Sequence, residues 1–343
     1  MRRRRFGNAP AGAGVVTMSD VASRAGVSAQ TVSRVIGRPE MVTEETRKRV
    51  HDAIRELNYI PNEAARNLAS NSSRVVAVII PTLSSSAFSA QVKATIDTLE
   101  LRGISVVIGN SEYSVLREEQ IIQTLLERRP MGFILTGLHH TPRAKDLLRQ
   151  SGVPVVETWD TDTAPLDCAA GFSNIAAGHD VGSLLAARGS RRIAFVGGAA
   201  HQDSRANGRF IGLAKALEEA DLPPPLRIEL VLPMSTQDGI SGLDQVMQKA
   251  PMTDAIFFSA DSLALAALLE CNRRGLRVPE QLAICGFGDF DLASLVTPAL
   301  TTVKIQPDVM GRTSAELLLA RLDGDDKPAS VILQHQLIRR GSA

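Results

Sequence analysis

The sequence is poor in groups that hold a metal, form cross-links or cross a membrane. It has three cysteines, Cys168, Cys271 and Cys285, in 343 residues. No two stand at Cys-x-x-Cys spacing, so a reduced protein with structural thiols is the simplest reading. No run approaches ~18 apolar residues, so no membrane-spanning helix is expected. Arg2 to Arg5 are followed by FGNAPAGAGVV rather than a long apolar core. That reads as no secretory leader and places the chain in the cytoplasm. There is no P-loop. GFGDFD has two glycines at dinucleotide-site spacing, lacks the third and falls late in the chain. His139 and His140 are adjacent, so they would not meet one metal from one helix face, and they read as surface or pocket-rim residues. Asp160, Asp162 and Asp167 cluster near Trp159 without an EF-hand pattern and read as a solvated loop. No Gly-x-Ser-x-Gly elbow or nucleophile–base pairing is encoded, so an enzyme has no positive support. No metal or cofactor is expected.

What the chain does have is an uneven distribution of charge. The net charge is +1. Residues 1–74 hold 13 Lys/Arg against 7 Asp/Glu, while the remaining 269 hold 25 against 30. A basic head on an acidic body is expected when only the head meets phosphates. Residues 1–16 read as a disordered basic tail.

The head follows at 17–60. Thr17 and Asp20 fit a helix-capping signature, and Val21, Ala22 and Ala25 make a buried face. Gly26 can end that helix in the left-handed conformation. Ser28 then caps a second helix with Val32, Val35 and Ile36 facing inward. This is a helix-turn-helix, whose second helix can enter a major groove. Its outward residues are Ala29, Gln30, Thr31, Ser33 and Arg34. Gln and Arg pair bidentately with adenine and guanine, so Gln30 and Arg34 are the base-reading candidates. Ser28, Thr31 and Ser33 suit phosphates or adjacent edges. The spacing alone also fits two helices of a small bundle with a solvated face. A third helix, capped by Thr43, carries Val50, Ala53, Ile54 and Leu57. Residues 61–73 read as a linker. Its possible helix Asn62 to Ala69 is too short to persist alone.

From Val75 the texture changes. Apolar runs (VVAVII, SVVI, GFIL, VPVV, IAFVG, IELVL, AIFF, LAICGF) alternate with amphipathic stretches at Phe88–Leu101, Glu118–Arg128, Asn174–Arg188 and Arg209–Ala220. That alternation predicts parallel sheets covered on both faces. Around eight units are too many for one sheet, so two doubly wound lobes are expected with a break near Gly171–Asn174. Ligands of such folds bind beyond the carboxyl ends of the strands. The residues there suit a small polar ligand such as a sugar.

MSDVASRAGVSAQTVSRVI, LNYIPNEAARNLAS, RGLRVPEQLAICGFGD and PALTTVKIQP together resemble the LacI/GalR transcription regulators, over nearly the whole chain after the tail. PVVETWD, GFSN, HTPR and LAICGFGDFD are most similar to the gluconate-utilisation repressors within that family. The resemblance implies a homodimer, possibly a tetramer, on a roughly palindromic operator, with a periplasmic-binding-protein-like core sensing a small molecule. It implies DNA contacts at Thr17, Ser28, Ala29, Gln30, Thr31, Ser33 and Arg34, and at Asn62, Ala65 and Leu68 in a hinge helix whose leucine wedges into the minor groove. In the core at 74–343 it implies lobe 1 at about 74–172 and 302–326, and lobe 2 at about 173–301 and 327–343. The chain would cross between them near Gly171–Asn174, Thr301–Pro307 and Lys327. Effector candidates are Phe88, Thr136, His140, Arg143, Trp159, Arg209, Asp261 and Asp289. Arg209 is expected at the start of its helix, forked onto a carboxylate. Sugar-binding members often carry Asn-Asp where this chain has Ala260-Asp261, and an acid where it has Gly288. These departures put a neutral-hexose pattern in doubt, while a sugar acid (gluconate, 2-ketogluconate or a relative) remains compatible, because its carboxylate wants a cation more than another acid. A regulator answering a neutral or phosphorylated sugar, a solute-binding protein, and an α/β enzyme with an acquired head are the alternatives.

Overall fold

The computed structural model describes residues 16–37, 39–59, 73–325 and 327–343. The expectations for the tail at 1–15 and for Asn62, Ala65 and Leu68 lie outside these residues. The chain divides into two compact units, residues 1–71 and 72–343.

The first unit holds α1 (Met18–Ala25), α2 (Ala29–Gly37) and α3 (Glu44–Glu56). Thr17 and Asp20 form the full capping box: the Asp20 amide donates to Thr17 Oγ1, and the Thr17 amide donates to Asp20 Oδ2 at 2.8 Å. Gly26 closes α1 at φ 61°, and Arg49 from α3 donates to the carbonyls of Ala25 and Gly26. A side chain at Gly26 would strain the backbone and crowd that guanidinium. Val21, Val32, Val35, Val50 and Tyr59 make the small core. Thr43 precedes α3, but its hydroxyl bonds Thr46 Oγ1 rather than a backbone amide.

The second unit contains two six-stranded sheets. In the first, β1 (Val75–Ile80), β2 (Ser105–Asn110), β3 (Gly132–Thr136), β4 (Val155–Thr158) and β5 (Cys168–Gly171) run parallel in the order 2-1-3-4-5. Helices α4 (Ser86–Glu100), α5 (Val115–Leu126) and α6 (Pro142–Ser151) make the crossovers. The second sheet repeats that order with β6 (Ile193–Gly198), β7 (Leu226–Leu230), β8 (Ala255–Phe258), β9 (Ala283–Gly288) and β10 (Thr301–Lys304). Its crossovers are α8 (Ser204–Glu219), α9 (Gln237–Lys249) and α10 (Asp261–Arg274), and α7 (Asn174–Ala187) enters it from the first lobe. The central strands β1, β3, β4, β6, β8 and β9 are buried on both faces, as their apolar runs require, while the edge strands β2 and β7 are partly exposed.

Four strands carry no long apolar run. β5 is CAAG, β10 is TTVK, and β11 (Ser330–Ile332) and β12 (Gln336–Ile338) are short edges. They correct the lobe boundaries. β10 belongs to the second sheet, so the chain returns to the first lobe only after Lys304. There α11 (Pro307–Leu322) packs on α4. β11 then pairs with β5 in the first sheet, and β12 pairs antiparallel with β10 in the second. The last crossing therefore lies between Ile332 and Gln336, not near Lys327. The apolar centre of the unit is continuous across the lobes.

Candidate functional site

In the first unit, α2 turns Val32 and Val35 into the core. That leaves Ser28, Ala29, Gln30, Ser33 and Arg34 exposed and Thr31 half-buried. Ser28 Oγ accepts from the Thr31 amide at 3.1 Å and shares a hydrogen bond with Thr31 Oγ1, so these two hydroxyls also hold the start of α2. Arg34 forms no ion pair among the described residues. Thr17 is exposed, with its hydroxyl committed to Asp20.

In the second unit a cleft of about 70 Å3 opens between the lobes. It lies at the carboxyl ends of the strands, beside the β1/β3 and β6/β8 switch points where strand order reverses. Phe88, Tyr113 and Trp159 face it from the first lobe, and Arg205, Arg209, Phe287 and Phe290 from the second. Phe88 and Trp159 pack with ring centroids 4.5 Å apart. Trp159 sits at φ 70°, a strained conformation for a bulky side chain. Both its ends are held: its indole N–H donates to Gln91 Oε1 at 2.5 Å, and its carbonyl accepts from Asn174 Nδ2 at 2.9 Å.

Asn174 is fully buried at the start of α7 and joins the lobes. Its Oδ1 accepts from Arg209 Nη1 at 2.5 Å. Arg209 Nη2 donates to the Ser259 carbonyl, and the guanidinium stacks on Phe287 at 4.2 Å. Among the described residues Arg209 Nε and Ser259 Oγ have no partner. Burial lowers the Arg209 pKa to about 10, so the group stays charged at neutral pH. Arg205 reaches from the second lobe to within 5.5 Å of the Phe88 ring and 5.8 Å of the Tyr113 ring. Its Nε lies 3.5 Å from Asp203. Burial, with Asp203 nearby, pushes the Tyr113 phenol up to about 12, leaving it a neutral hydrogen-bonding group.

Arg209 stands in the second turn of α8, not at its start. Asp203 caps the helix by accepting from the Ala206 amide, so α8 begins at Ser204. Two glycines fix its distance from α7. A Cβ on Gly178 would lie 2.0 Å from the Arg209 carbonyl, and one on Gly212 would lie 1.9 Å from the Ile175 carbonyl.

Phe88, Trp159 and Arg209 are thus brought together, and Thr136 lines an adjoining polar cavity. Four other effector candidates are not in the cleft. The His140 ring is fully buried, with Nδ1 2.5 Å from Glu118 and Nε2 3.0 Å from Glu157. Burial disfavours its charge, but the two carboxylates outweigh burial and push it up to about 9. Of the histidine pair only His139 lies at a cavity rim. Arg143 points outward beside Glu119 and Gln123. Asp261 is fully buried, accepting from Thr302 Oγ1 at 2.6 Å and the Phe290 amide at 2.8 Å. Burial raises its pKa to about 6. Asp289 is turned to Arg340 at 2.6 Å. Each is held by protein partners that single-sequence spacing does not reveal. Nor do the clustered aspartates form a solvated loop. Asp160 is buried, Asp162 accepts from Ser173 Oγ and the Ile175 amide at the start of α7, and Asp167 pairs with Arg321.

Residues 17–62 match the bacterial regulatory proteins of the lacI family, and residues 183–343 match a periplasmic binding protein-like domain. The chain is 38% identical over 330 residues to the HTH-type transcriptional regulator GntR of Pseudomonas aeruginosa, covering 95% of each. The chain belongs to the LacI family. The HTH-type transcriptional regulator GntR of Escherichia coli K12 is 34% identical over 308 residues, 90% of this chain and 92% of that one. A LacI-family regulator from Silicibacter pomeroyi superposes with a TM-score of 0.88 at 32% identity, covering 95% of this chain and 99% of that one. A lac repressor dimer bound to operator and an anti-inducer gives 0.83 at 29%, covering 95% and 98%. This LacI-family chain is therefore a DNA-binding transcriptional regulator, not an enzyme. Among the described residues no helix is long and apolar enough to cross a membrane.

Proposed function

We propose that this regulator is a homodimeric repressor of sugar-acid catabolism genes, with operator affinity set by gluconate or a related sugar acid in the inter-lobe cleft. One observation carries the ligand class. Arg209 is a buried cation that lines the cleft, with no carboxylate in ion-pair range and its Nε without a partner among the described residues. Buried charges are ordinarily paired, because an unpaired one costs several kcal/mol. A ligand carboxylate would supply the missing counter-charge, and aromatic walls suit the carbon chain behind it. On this reading α2 reads the operator through Gln30 and Arg34. A ligand touching both lobes favours the closed form and so changes operator affinity.

The test is calorimetry of the wild type, Arg209→Ala and Arg209→Lys with gluconate, 2-ketogluconate and neutral glucose, paired with an operator gel shift. Sugar-acid binding should be lost in Arg209→Ala and intermediate in Arg209→Lys. Glucose binding as tightly as gluconate, or gluconate binding unchanged in Arg209→Ala, would sink the sugar-acid assignment.

A further inference from the structure

The helix that carries Gln30 and Arg34 has a light hold on its own unit. Of its nine residues, α2 buries only Val32 and Val35. The turn Gly26 to Ser28 joins it to α1. The setting of that turn therefore decides how α2 presents its outer face. The end of α1 is partly closed from within. The Gly26 amide donates to the Ala22 and Ser23 carbonyls, and the Val27 amide donates to the Ala22 carbonyl at 3.0 Å. The next carbonyls, of Ala25 and Gly26, accept no backbone amide among the described residues. Arg49 of α3 meets both, its Nη2 donating to Ala25 at 2.5 Å and to Gly26 at 3.1 Å. A guanidinium there also faces the negative end of the α1 dipole. Arg49, Ala53 and Glu56 share the face of α3 that runs along the end of α1. Ala53 is buried, and Glu56 pairs with Arg24 of α1 at 2.6 Å. That pair is exposed on both sides and so holds little.

We propose that Arg49 is a positioning residue for DNA reading. It clamps the α1–α2 turn from α3 and so sets the angle at which α2 offers Gln30 and Arg34 to base edges. It acts through those two residues and not on DNA itself, so the inference rests on their proposed base-reading role. The two arginines divide the work. Arg34 forms no ion pair among the described residues and faces outward, whereas the Arg49 Nη2 is spent on two carbonyls of its own unit. Reading a base edge needs a fork held in place, because a bidentate contact tolerates little misalignment.

The test uses the full chain and a duplex that the wild type selects from a random-sequence pool, with the same duplex scrambled as reference. Affinities are measured well below the melting temperature of each variant. Arg49→Ala should weaken the selected duplex by about tenfold, within the roughly 5–150-fold that a bidentate base contact carries, and the scrambled one by less than about twofold. Arg49→Lys keeps a charged donor at the turn and should recover most of the loss. The slope of log affinity against log salt should not change, whereas loss of a phosphate contact would lower it by about 0.9. In a Gln30→Ala/Arg34→Ala background, Arg49→Ala should cost less than about twofold, because nothing is left to position. Equal weakening of both duplexes, a lowered salt slope, or the same loss in that background would overturn the positioning role. A lowered melting temperature with discrimination intact would also overturn it, leaving Arg49 a stability residue. If Gln30→Ala/Arg34→Ala itself leaves discrimination intact, the base-reading assignment falls and the positioning role falls with it.

Discussion

Arg34 and Arg209 put the same guanidinium to opposite uses. Arg34 is exposed, unpaired among the described residues and free to present its fork to a base edge. Arg34→Ala should cost about 1–3 kcal/mol of discrimination, weakening operator more than random DNA in a gel shift. Equal weakening of both would mark it as a phosphate contact. Arg209 is buried, and the cost of its charge would be offset by the proposed ligand carboxylate. His140 shows a third arrangement, a buried cation between Glu118 and Glu157. Its folded pKa of about 9 lies above the ordinary histidine value of 6.5. Its stabilising contribution is therefore complete below pH 6.5 and lost as pH rises through about 9. Denaturant unfolding of the wild type should show stability falling across that window. His140→Gln should be less stable at pH 6 and flatter between pH 6.5 and 9; an unchanged slope would show that another group titrates there.

At the scale of elements, the α7–α8 contact decides where the arginine stands. Gly178 and Gly212 let the two backbones approach closer than any Cβ allows. Gly212→Ala should destabilise by roughly 1–3 kcal/mol from overpacking, more than the ~1 kcal/mol that Ala gains over Gly in a helix. It should also weaken gluconate binding, because Arg209 lies one turn away on α8. Lost stability with unchanged affinity would show that this spacing does not place the guanidinium. These glycines also mark where sequence reading ran out. Strands such as VVAVII and AIFF were legible because burial on both faces demands unbroken apolar residues. β5 and β10 were not, since CAAG and TTVK gain their burial from neighbours rather than from side-chain size. α8 was placed five residues late because Asp203 could be recognised as its cap only from the Ala206 amide it accepts. That error hid Arg205. Phe88, Trp159 and Arg209 could be picked out near strand ends, whereas Gln91 and Asn174, which orient them, lie mid-helix and at a helix start with nothing in their spacing to mark them.

At the scale of the whole molecule, two kinds of electrostatics are kept apart. The head carries the excess of positive charge, while the core is net negative and keeps its cleft arginines buried. DNA binding by the head displaces counterions, so log affinity for operator should fall steeply and linearly with log salt, by about 0.9 per neutralised phosphate. A carboxylate meeting Arg209 inside the cleft is shielded from bulk ions, so gluconate affinity should change little over the same range. Measuring both between 50 and 200 mM salt, roughly the range over which phosphate contacts lose their strength, separates the sites without a mutation. Coupling between them is then read at one salt concentration. If gluconate shifts operator affinity by some factor, operator must shift gluconate affinity by the same factor, since each ligand acts only through its differential affinity for the two forms. Reciprocal factors of about 5–150 would place both ligands on one conformational equilibrium of this chain. A gluconate affinity as salt-sensitive as operator binding, or unchanged by saturating operator, would put the anion site on the basic head instead of between the lobes.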